Sequence, residues 1–317
     1  MLALRKQSPK QGVRVSTANR QWQRFKLFLF VIPSLVLVFI FKYLPLWGWS
    51  YAFYNYKPGL DLADCTYVGL QNFKNLFGTP ILRENVIRVL RNTFGIQMLH
   101  YLMMPLPMIF AVFLSEIRSK KFQKLVQTVT TLPNFISWVI MFSLASAIFN
   151  STGLVNSILE SMGKETVGNL LQSSDNVWLT QSLLSLWKSL GWSAIVYFAT
   201  IAGLDQEMYE AASIDGANRM QRIWYITLPQ LIPTFFVLLI MSIGNFLNSG
   251  VDQYLAFSNA LNKEYIEVLD LYVYNLGIGS GMISYSVAVG MLKSLVALVL
   301  FSLANMASKK IRGTSVF

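Results

Sequence analysis

The sequence predicts an all-α integral membrane protein with about six transmembrane helices. Of its 317 residues, 54% are hydrophobic and 13% are charged, whereas a soluble domain usually carries about 25% charged residues. A chain with so little charge lacks the polar surface that a folded protein needs in water. In addition, six stretches of roughly 20 mostly apolar residues, the length that crosses a bilayer, are distributed along the chain.

The six predicted spans are separated by segments that contain charged residues. We place them, in chain order, at 27–49, 93–114, 125–149, 179–204, 231–250 and 287–306. The first (LFLFVIPSLVLVFIFKYLPLWGW) is too long for a signal peptide and lacks a small-residue cleavage site. In the second, Pro105 and Pro107 predict kinks, since proline cannot donate to the helical hydrogen-bond ladder.

The distribution of basic residues predicts the orientation of the chain. Sixteen Lys and Arg residues precede the first span, follow the sixth, or lie in the loops between spans two and three and between spans four and five. Seven are spread over the three other loops, which are longer in total. Because short cytoplasmic segments carry an excess of basic residues, both termini are predicted to be cytoplasmic.

The predicted organisation is one membrane domain with two short tails. Residues 1–26 form a basic cytoplasmic tail, and NRQWQRFKLF (19–28) mixes bases with aromatics as an interfacial helix does. The six-helix membrane domain covers 27–308. Residues 309–317 form a cytoplasmic C-terminal tail.

The composition excludes several classes of function. One cysteine, Cys65, and one histidine, His100, cannot form a disulfide or a Cys/His metal cluster. The fragment SMGKE (161–165) lacks the first glycine and the hydroxyl of a phosphate-binding loop, so ATP binding by that route is not expected. We assign no catalytic residue and no metal ligand, and the basic residues at the ends of apolar runs favour lipid over nucleic acid.

Few ionisable residues lie inside the predicted spans. Lys188 and Lys293 are the deepest, whereas every Asp and Glu is in a loop or at the end of a span. A carrier driven by protons or sodium would place acids at mid-membrane as ion relays. If the chain is a transporter, its energy is therefore expected to come from a partner.

One polar segment, EAASIDGANRMQRIWYITLP (210–229), lies between the fourth and fifth spans on the predicted cytoplasmic side. Asp205 can cap a helix that begins just after it, Gly216 interrupts that helix, and Leu228–Pro229 ends the run. Two short helices with a bend would present polar side chains to a cytoplasmic partner. The residues by themselves leave two alternatives open, a docking element and an ordinary solvated loop.

The spacing within this segment resembles a known motif. It reads E-A-A, three residues, G, nine residues and I-x-L-P, and it is similar to the EAA loop of the membrane subunits of bacterial ABC importers. In that family the loop forms a coupling helix that docks into a groove of a separate ATPase subunit. The resemblance implies a coupling loop at 205–230 that includes Glu210, Ala211, Ala212, Asp215, Gly216, Arg219, Leu228 and Pro229.

The resemblance covers nearly the whole chain. YVGLQNFKNLF (67–77) and TLPNFISWVI (131–140) look like segments of maltose-type sugar permeases. FKYLPLWGWSYAFYNYKPG (41–59) and the last 30 residues look closer to the polysaccharide-product branch, the aldouronate, alginate and LplB-like permeases. This resemblance implies the type I ABC importer permease fold and a multi-pass location in the bacterial cytoplasmic (inner) membrane.

The resemblance also implies a function and a set of partners. The chain would be a transport subunit rather than an enzyme, paired as a heterodimer with a second homologous permease and with two ATPase subunits that bind ATP and Mg. An extracytoplasmic solute-binding protein would deliver oligosaccharides from polysaccharide breakdown, including uronate-containing ones. The alternatives are an importer for a different solute, such as glycerol phosphate, and a non-transporting membrane scaffold or sensor.

Candidate substrate-lining residues lie in the fourth and fifth spans and just after them: Lys188, Trp192, Tyr197, Asn245, Asn248 and Asp252. Asn245 and Asn248 are three residues apart on one helix face, and they can line a wet cavity or hydrogen-bond between helices. Lys188 can pair with a uronate carboxylate, with an acid of a neighbouring subunit, or with a backbone carbonyl. His100 is expected to be a packing histidine.

Overall fold

The computed structural model describes residues 17–312, which form helices joined by short connections. The predicted tails up to residue 16 and beyond residue 312 lie outside the described residues. The α-helices are α1 (Thr17–Val38), α2 (Gln71–Gly78), α3 (Pro80–Met103), α4 (Pro105–Ser115), α5 (Lys120–Thr131), α6 (Trp138–Phe149), α7 (Leu154–Ser161), α8 (Val177–Ala202), α9 (Gln206–Ile214), α10 (Arg219–Arg222), α11 (Leu228–Gly244), α12 (Asp252–Phe257), α13 (Lys263–Ile266), α14 (Leu269–Tyr274) and α15 (Ile283–Arg312).

The chain divides into two units, of which the first ends at Ser50. In this unit α1 is one continuous helix that includes the predicted interfacial segment 19–28. A π-helical turn follows at Phe39–Tyr43. The apolar side chains described in this unit are largely exposed, and that of Phe30 is 82% exposed. Such exposure is expected of a segment that contacts lipid, because lipid tails are as apolar as a leucine side chain.

The second unit, from Tyr51 onward, is organised around α8. This helix packs against α3, α4, α5 and α11. One cluster of buried side chains joins α8 to α12 through Leu184, Tyr254 and Phe257. Another joins α8 to α11 through Tyr197 and Leu231. The helix therefore contributes to two separate parts of the core.

Five helical segments among the described residues are long and apolar enough to cross a membrane: Phe28–Phe53, Pro80–Ser115, Trp138–Ser161, Arg219–Gly244 and Ile283–Met306. They correspond to the predicted first, second, third, fifth and sixth spans. The predicted fourth span corresponds to α8, which has 26 residues but is less apolar than the other five. Because α8 packs against helices on several sides, its polar side chains contact protein rather than lipid.

The predicted second span is longer than expected and is broken. Its first helix begins at Pro80 rather than near Thr93 and ends at Met103. The chain bends at Met104, directly before the helix that starts at Pro105. This break lies where Pro105 and Pro107 predict a kink, because each proline removes a backbone donor from the helix.

The prediction of one continuous third span over 125–149 is wrong. α5 ends at Thr131, a 3-10 turn covers Leu132–Phe135, and α6 begins at Trp138. Pro133 lies in this turn, where its ring excludes a regular helical hydrogen bond. The apolar sequence was long enough to span, but the local backbone chemistry divides it into two helices.

The fifth span begins and ends earlier than predicted. α10 continues through a π-helical turn at Ile223–Thr227 directly into α11, so the expectation that the helical run ends at Leu228–Pro229 is wrong. Pro229 lies in the first turn of α11, and a π turn accommodates such a missing donor. α11 stops at Gly244, and the following residues are irregular.

α8 comes close to the backbone of α5 at Gly191. A Cβ atom built on Gly191 would lie 2.4 Å from the carbonyl carbon and oxygen of Thr130 at the end of α5. Backbone atoms cannot move aside as a flexible side chain can, so the missing side chain of Gly191 permits direct contact between the two helices.

We expect Gly191→Ala to lower the thermal unfolding midpoint of the protein in detergent by about 3–8 °C, since overpacking costs about 1–3 kcal/mol. The matched control is Gly290→Ala in α15, where a Cβ meets nothing within 4 Å and alanine improves helix propensity. Equal midpoints for the two variants would contradict the close contact at Gly191.

Candidate functional site

The polar segment at 205–230 begins with two short helices at the end of α8. The Asp205 carboxylate accepts a hydrogen bond from the backbone N–H of Glu207 at 3.0 Å and caps α9. Gly216 has a φ angle of +79°, a conformation that glycine adopts without strain. Asn218 then caps α10 in a capping box with Gln221. The predicted cap at Asp205 and the predicted bend at Gly216 are confirmed.

Two side-chain contacts attach α9 to the helix that follows. The hydroxyl oxygens of Tyr209 and Thr227 are 2.9 Å apart, and Thr227 is buried in the π turn before α11. Arg222 donates a hydrogen bond to Ser213 Oγ at 2.8 Å. A displacement of α9 is therefore transmitted to α11 through side chains as well as to α8 through the chain.

The other face of α9 is exposed. Glu210 and Ala211 lie on this face, and Ile214 at the end of the helix is 86% exposed. Together they form a ridge with a carboxylate and an apolar side chain that another protein can contact. The remaining predicted coupling residues are exposed or half-buried along the same segment: Ala212, Asp215, Gly216, Arg219, Leu228 and Pro229.

A cavity of about 570 Å³ lies between α3, α4, α8 and α11, within the size range of small-molecule sites. One wall is a line of serines at helical spacing on α8, namely Ser182, Ser185, Ser189 and Ser193. These serines, together with Gln181 and Lys188, make α8 less apolar than the other membrane helices. Their hydroxyl groups face a space shared by four helices rather than lipid.

Four of the six predicted substrate-lining residues line this cavity: Trp192, Tyr197, Asn245 and Asn248. Asn248 donates to the side-chain oxygen of Asn245 at 3.1 Å, in the irregular segment after α11. Asp252 does not line the cavity; it is exposed in the first turn of α12. Lys188 does not line it either.

The Lys188 ammonium group is bound by backbone carbonyls at the break between α5 and α6. It donates to the carbonyl oxygens of Pro133, Asn134 and Ile136 at 3.0, 2.8 and 2.6 Å, and it lies 5.4 Å from the ring of Trp138. The structure thus corresponds to the carbonyl alternative for Lys188. The lysine is the donor for the carbonyls of Asn134 and Ile136 at the interrupted helix. It is a second donor for the carbonyl of Pro133, which also accepts the backbone N–H of Ile136 at 3.2 Å.

The irregular segment after α11 is held by Asp270, whose carboxylate is paired with Lys293. The backbone N–H of Gly250 donates to Asp270 Oδ2 at 3.0 Å, and the other carboxylate oxygen of Asp270 pairs with the ammonium group of Lys293. Both ionic side chains are largely buried. Pairing compensates the two charges and fixes the segment that carries Asn248.

Several cavity residues were not predicted from the sequence. Gln97, Tyr101 and Gln253 line the cavity, as do the serines of α8. His100, expected to be a packing histidine, also lines it, and its Nε2 is buried without a hydrogen-bond partner among the described residues. The serine spacing on α8 was visible in the sequence; the positions on α3 were not distinguishable from packing residues.

Comparison with known proteins gives a family match over two thirds of the chain. Residues 103–313 match the family described as binding-protein-dependent transport system inner membrane component. The protein LplB of Bacillus subtilis (strain 168) is 40% identical over 92% of this chain and 91% of its own length. The polygalacturonan/rhamnogalacturonan transport system permease protein YteP of the same strain is 38% identical over 91% of this chain and 89% of its own length.

The fold is similar to solved transporter structures. A chain of a bacterial ABC transporter involved in the import of the acidic polysaccharide alginate superposes with a TM-score of 0.80 and 32% sequence identity. The match covers 92% of this chain and 99% of that one. A second structure, of the alginate ABC transporter in complex with its alginate pentasaccharide-bound periplasmic protein, gives a TM-score of 0.79, with 31% identity over 92% of this chain and 97% of that one.

We expect Lys188→Met to lower the unfolding midpoint in detergent by about 5–10 °C, because the carbonyls of Asn134 and Ile136 at the α5–α6 break lose their donor at a cost of about 2–3 kcal/mol. Lys188→Arg keeps cationic N–H donors at this position and is expected to avoid more than half of this loss. The control is Lys164→Met, at an exposed lysine. A Lys188→Met midpoint equal to that of the control would show that the carbonyl contacts do not stabilise the fold.

Proposed function

Because the chain belongs to the family of binding-protein-dependent transport system inner membrane components, we propose that it moves oligosaccharides across the bacterial cytoplasmic membrane as a permease subunit of an ATP-driven importer. The printed names of its relatives support this substrate class. They include transport proteins for polygalacturonan/rhamnogalacturonan and for arabinooligosaccharides and an importer of alginate. Each of these substrates is a chain of sugar units.

The observation that carries the proposal is that the cavity and the polar cytoplasmic segment share the same two helices. α8 lines the cavity and leads through Leu204 and Asp205 into α9. α11 also lines the cavity, and it begins at the π turn to which α9 is attached by Tyr209 and Thr227. A force applied to α9 therefore changes the distance between two cavity walls.

The proposed energy source is a pair of ATPase subunits that bind ATP and Mg. Their docking site on this chain is the exposed ridge of α9, in which Glu210 pairs with a basic side chain of the ATPase and Ile214 fills an apolar depression. Arg219 flanks the contact. Closure of the ATPase subunits on ATP pushes α9, and the cavity alternates between outward and inward access.

The remaining proposed components complete the path of the sugar. A second homologous permease encloses the cavity from the other side, and an extracytoplasmic solute-binding protein delivers the oligosaccharide. The proposed membrane domain is 27–308, with the coupling loop at 205–230. Serine hydroxyl groups, Asn245 and Asn248 then replace water around the sugar hydroxyls, while Trp192 offers an aromatic face.

Purification from the native membrane in mild detergent tests this assembly. We expect an ATPase, a second permease and a solute-binding protein to copurify with the chain, the binding protein after chemical crosslinking. Isolation of the chain without an ATPase, including after crosslinking through a cysteine introduced at Glu210, would refute the assignment of α9 as a docking helix.

Substitution of Glu210 tests the coupling role directly. We expect Glu210→Lys to reduce oligosaccharide uptake by more than 10-fold in proteoliposomes, because a reversed charge opposes pairing with the ATPase. The level of the chain in the membrane should stay unchanged. Glu160→Lys, at an exposed position on α7, is the charge-matched control, and the docking role fails if both variants transport alike.

A further inference from the structure

A second cavity, of about 480 Å³, lies at the cytoplasmic end of α8 and shares no lining residue with the first. It is bounded by the end of α4, by α5, by the end of α8, by α9 and by the π turn before α11. Phe198 of α8 lines this cytoplasmic cavity, whereas Ser189 lines the other one. Nine residues make about two and a half helical turns, so the two cavities lie on opposite faces of α8.

α5 turns its polar face toward the cytoplasmic cavity. Lys120 and Gln127 line the cavity, whereas Phe122 and Val129, on the other face of the helix, are more than half exposed. A helix of a soluble protein turns its apolar face toward the core. The reverse orientation of α5 suits a helix with lipid on one side and a polar space on the other. The side-chain amide of Gln127 makes no hydrogen bond with a described residue, since only its backbone carbonyl accepts from Thr130 and Thr131.

Two cations from distant parts of the chain converge on the cytoplasmic cavity. Lys120 comes from the first turn of α5, and Arg222 comes from the end of α10. Neither forms a salt bridge with a described residue, although Glu116 also lines the cavity. Lys120 donates to Gln123 at 3.3 Å and Arg222 donates to Ser213 at 2.8 Å, so each retains further N–H donors. Two cations and one carboxylate leave one net positive charge.

The rest of the polar lining consists of side-chain amides and hydroxyl groups, namely Ser115, Gln123, Gln127, Gln206, Tyr209 and Thr227. An amide side chain offers a donor and an acceptor side by side, which matches the hydroxyl groups of a sugar or of glycerol. Lysine and arginine are the side chains that bind phosphate. A small molecule that carries both a phosphate and hydroxyl groups therefore matches the chemistry of this lining, and the volume lies within the range of small-molecule sites.

We propose that the cytoplasmic cavity binds a phosphate ester that carries hydroxyl groups. Lys120 and Arg222 hold the phosphate, and Gln123 and Gln127 bind the hydroxyls. This chemistry occurs in a soluble sugar phosphate and in the headgroup of an anionic lipid such as phosphatidylglycerol. The bound group connects α5 to α10 and so restrains displacement of α9. This effect on transport rests on the proposed function, whereas the binding itself does not.

Binding is measured on the protein purified from its native membrane in mild detergent, together with its associated subunits. The soluble probe is radiolabelled glucose 6-phosphate, and native mass spectrometry detects retained phosphatidylglycerol. We expect Lys120→Gln to weaken binding of the soluble probe about 5-fold or more, or to abolish retention of the lipid, because a charge-assisted hydrogen bond is lost. The matched control is Lys121→Gln, at the adjacent exposed lysine of α5, which does not line the cavity.

The two readouts distinguish the sources of the phosphate. If only the soluble probe depends on Lys120, the ligand is a free sugar phosphate, and if only the retained lipid does, it is a headgroup. The proposal is wrong if neither depends on Lys120, or if Lys121→Gln has the same effect. Competition by glucose as strong as that by unlabelled glucose 6-phosphate would also overturn it, because glucose has no group for the two cations.

A second variant tests the other wall position. Gln127→Glu places a carboxylate where the phosphate ester binds, and we expect it to weaken binding at least as much as Lys120→Gln does. Lys120 is exposed, so Lys120→Gln is expected to keep the wild-type unfolding midpoint and remains informative if Gln127→Glu does not fold. Wild-type binding by a folded Gln127→Glu variant would remove α5 from the site.

Uptake into proteoliposomes tests the effect on transport. We expect glucose 6-phosphate on the cytoplasmic side to slow oligosaccharide uptake about 5-fold in the wild type and to leave uptake by Lys120→Gln unchanged. If the ligand is a headgroup, vesicles of phosphatidylethanolamine with and without phosphatidylglycerol give the same comparison. Equal slowing of both proteins, or of neither, contradicts the restraint on α9. Absence of uptake without either ligand would instead overturn the proposed function and leave the binding result intact.

Discussion

A backbone carbonyl or amide in hydrocarbon must find its hydrogen-bond partner within the protein, and the described membrane domain depends on how it meets that requirement. The helices are interrupted where α5 gives way to α6 and where α11 ends. At the first break, the ammonium group of Lys188 binds three carbonyls. At the second, Asp270 accepts the N–H of Gly250 and is itself paired with Lys293. Each break is stabilised by a charged side chain from a different helix.

These two breaks shape the cavity. Phe135, in the first break, packs edge-on against the cavity residue Trp192 with ring centroids 5.7 Å apart. Asn245 and Asn248 line the cavity from the second break. Irregular backbone at membrane depth persists only where it is buried in protein or lines a wet cavity. The broken helices and the polar wall therefore have one explanation, a passage for a hydrated or hydroxyl-bearing solute.

The helices that form this wall also continue to the cytoplasmic segment. α8 leads into α9, and α11 follows α10 without an interruption of the helical path. Gly216, with its positive φ, lies between α9 and α10, and the hydroxyl groups of Tyr209 and Thr227 connect α9 to the π turn before α11. The proposed drive by a partner ATPase acts through this segment, because α9 is joined both to α8 and to α11, which line the cavity.

The sequence by itself determined the membrane class, the approximate positions of the spans and the two short helices of the 205–230 segment, since apolar length, the Asp205 cap and the Gly216 bend are local properties. The sequence predicted only part of the cavity lining correctly, namely Trp192, Tyr197, Asn245 and Asn248. The structure instead places Lys188 at the α5–α6 break and His100 in the cavity wall. The same polar side chain in a span can hydrogen-bond to a backbone carbonyl, to a neighbouring helix or to a ligand. The tertiary structure decided among these, because the choice depends on which partner the packing of helices distant in sequence brings within hydrogen-bond distance.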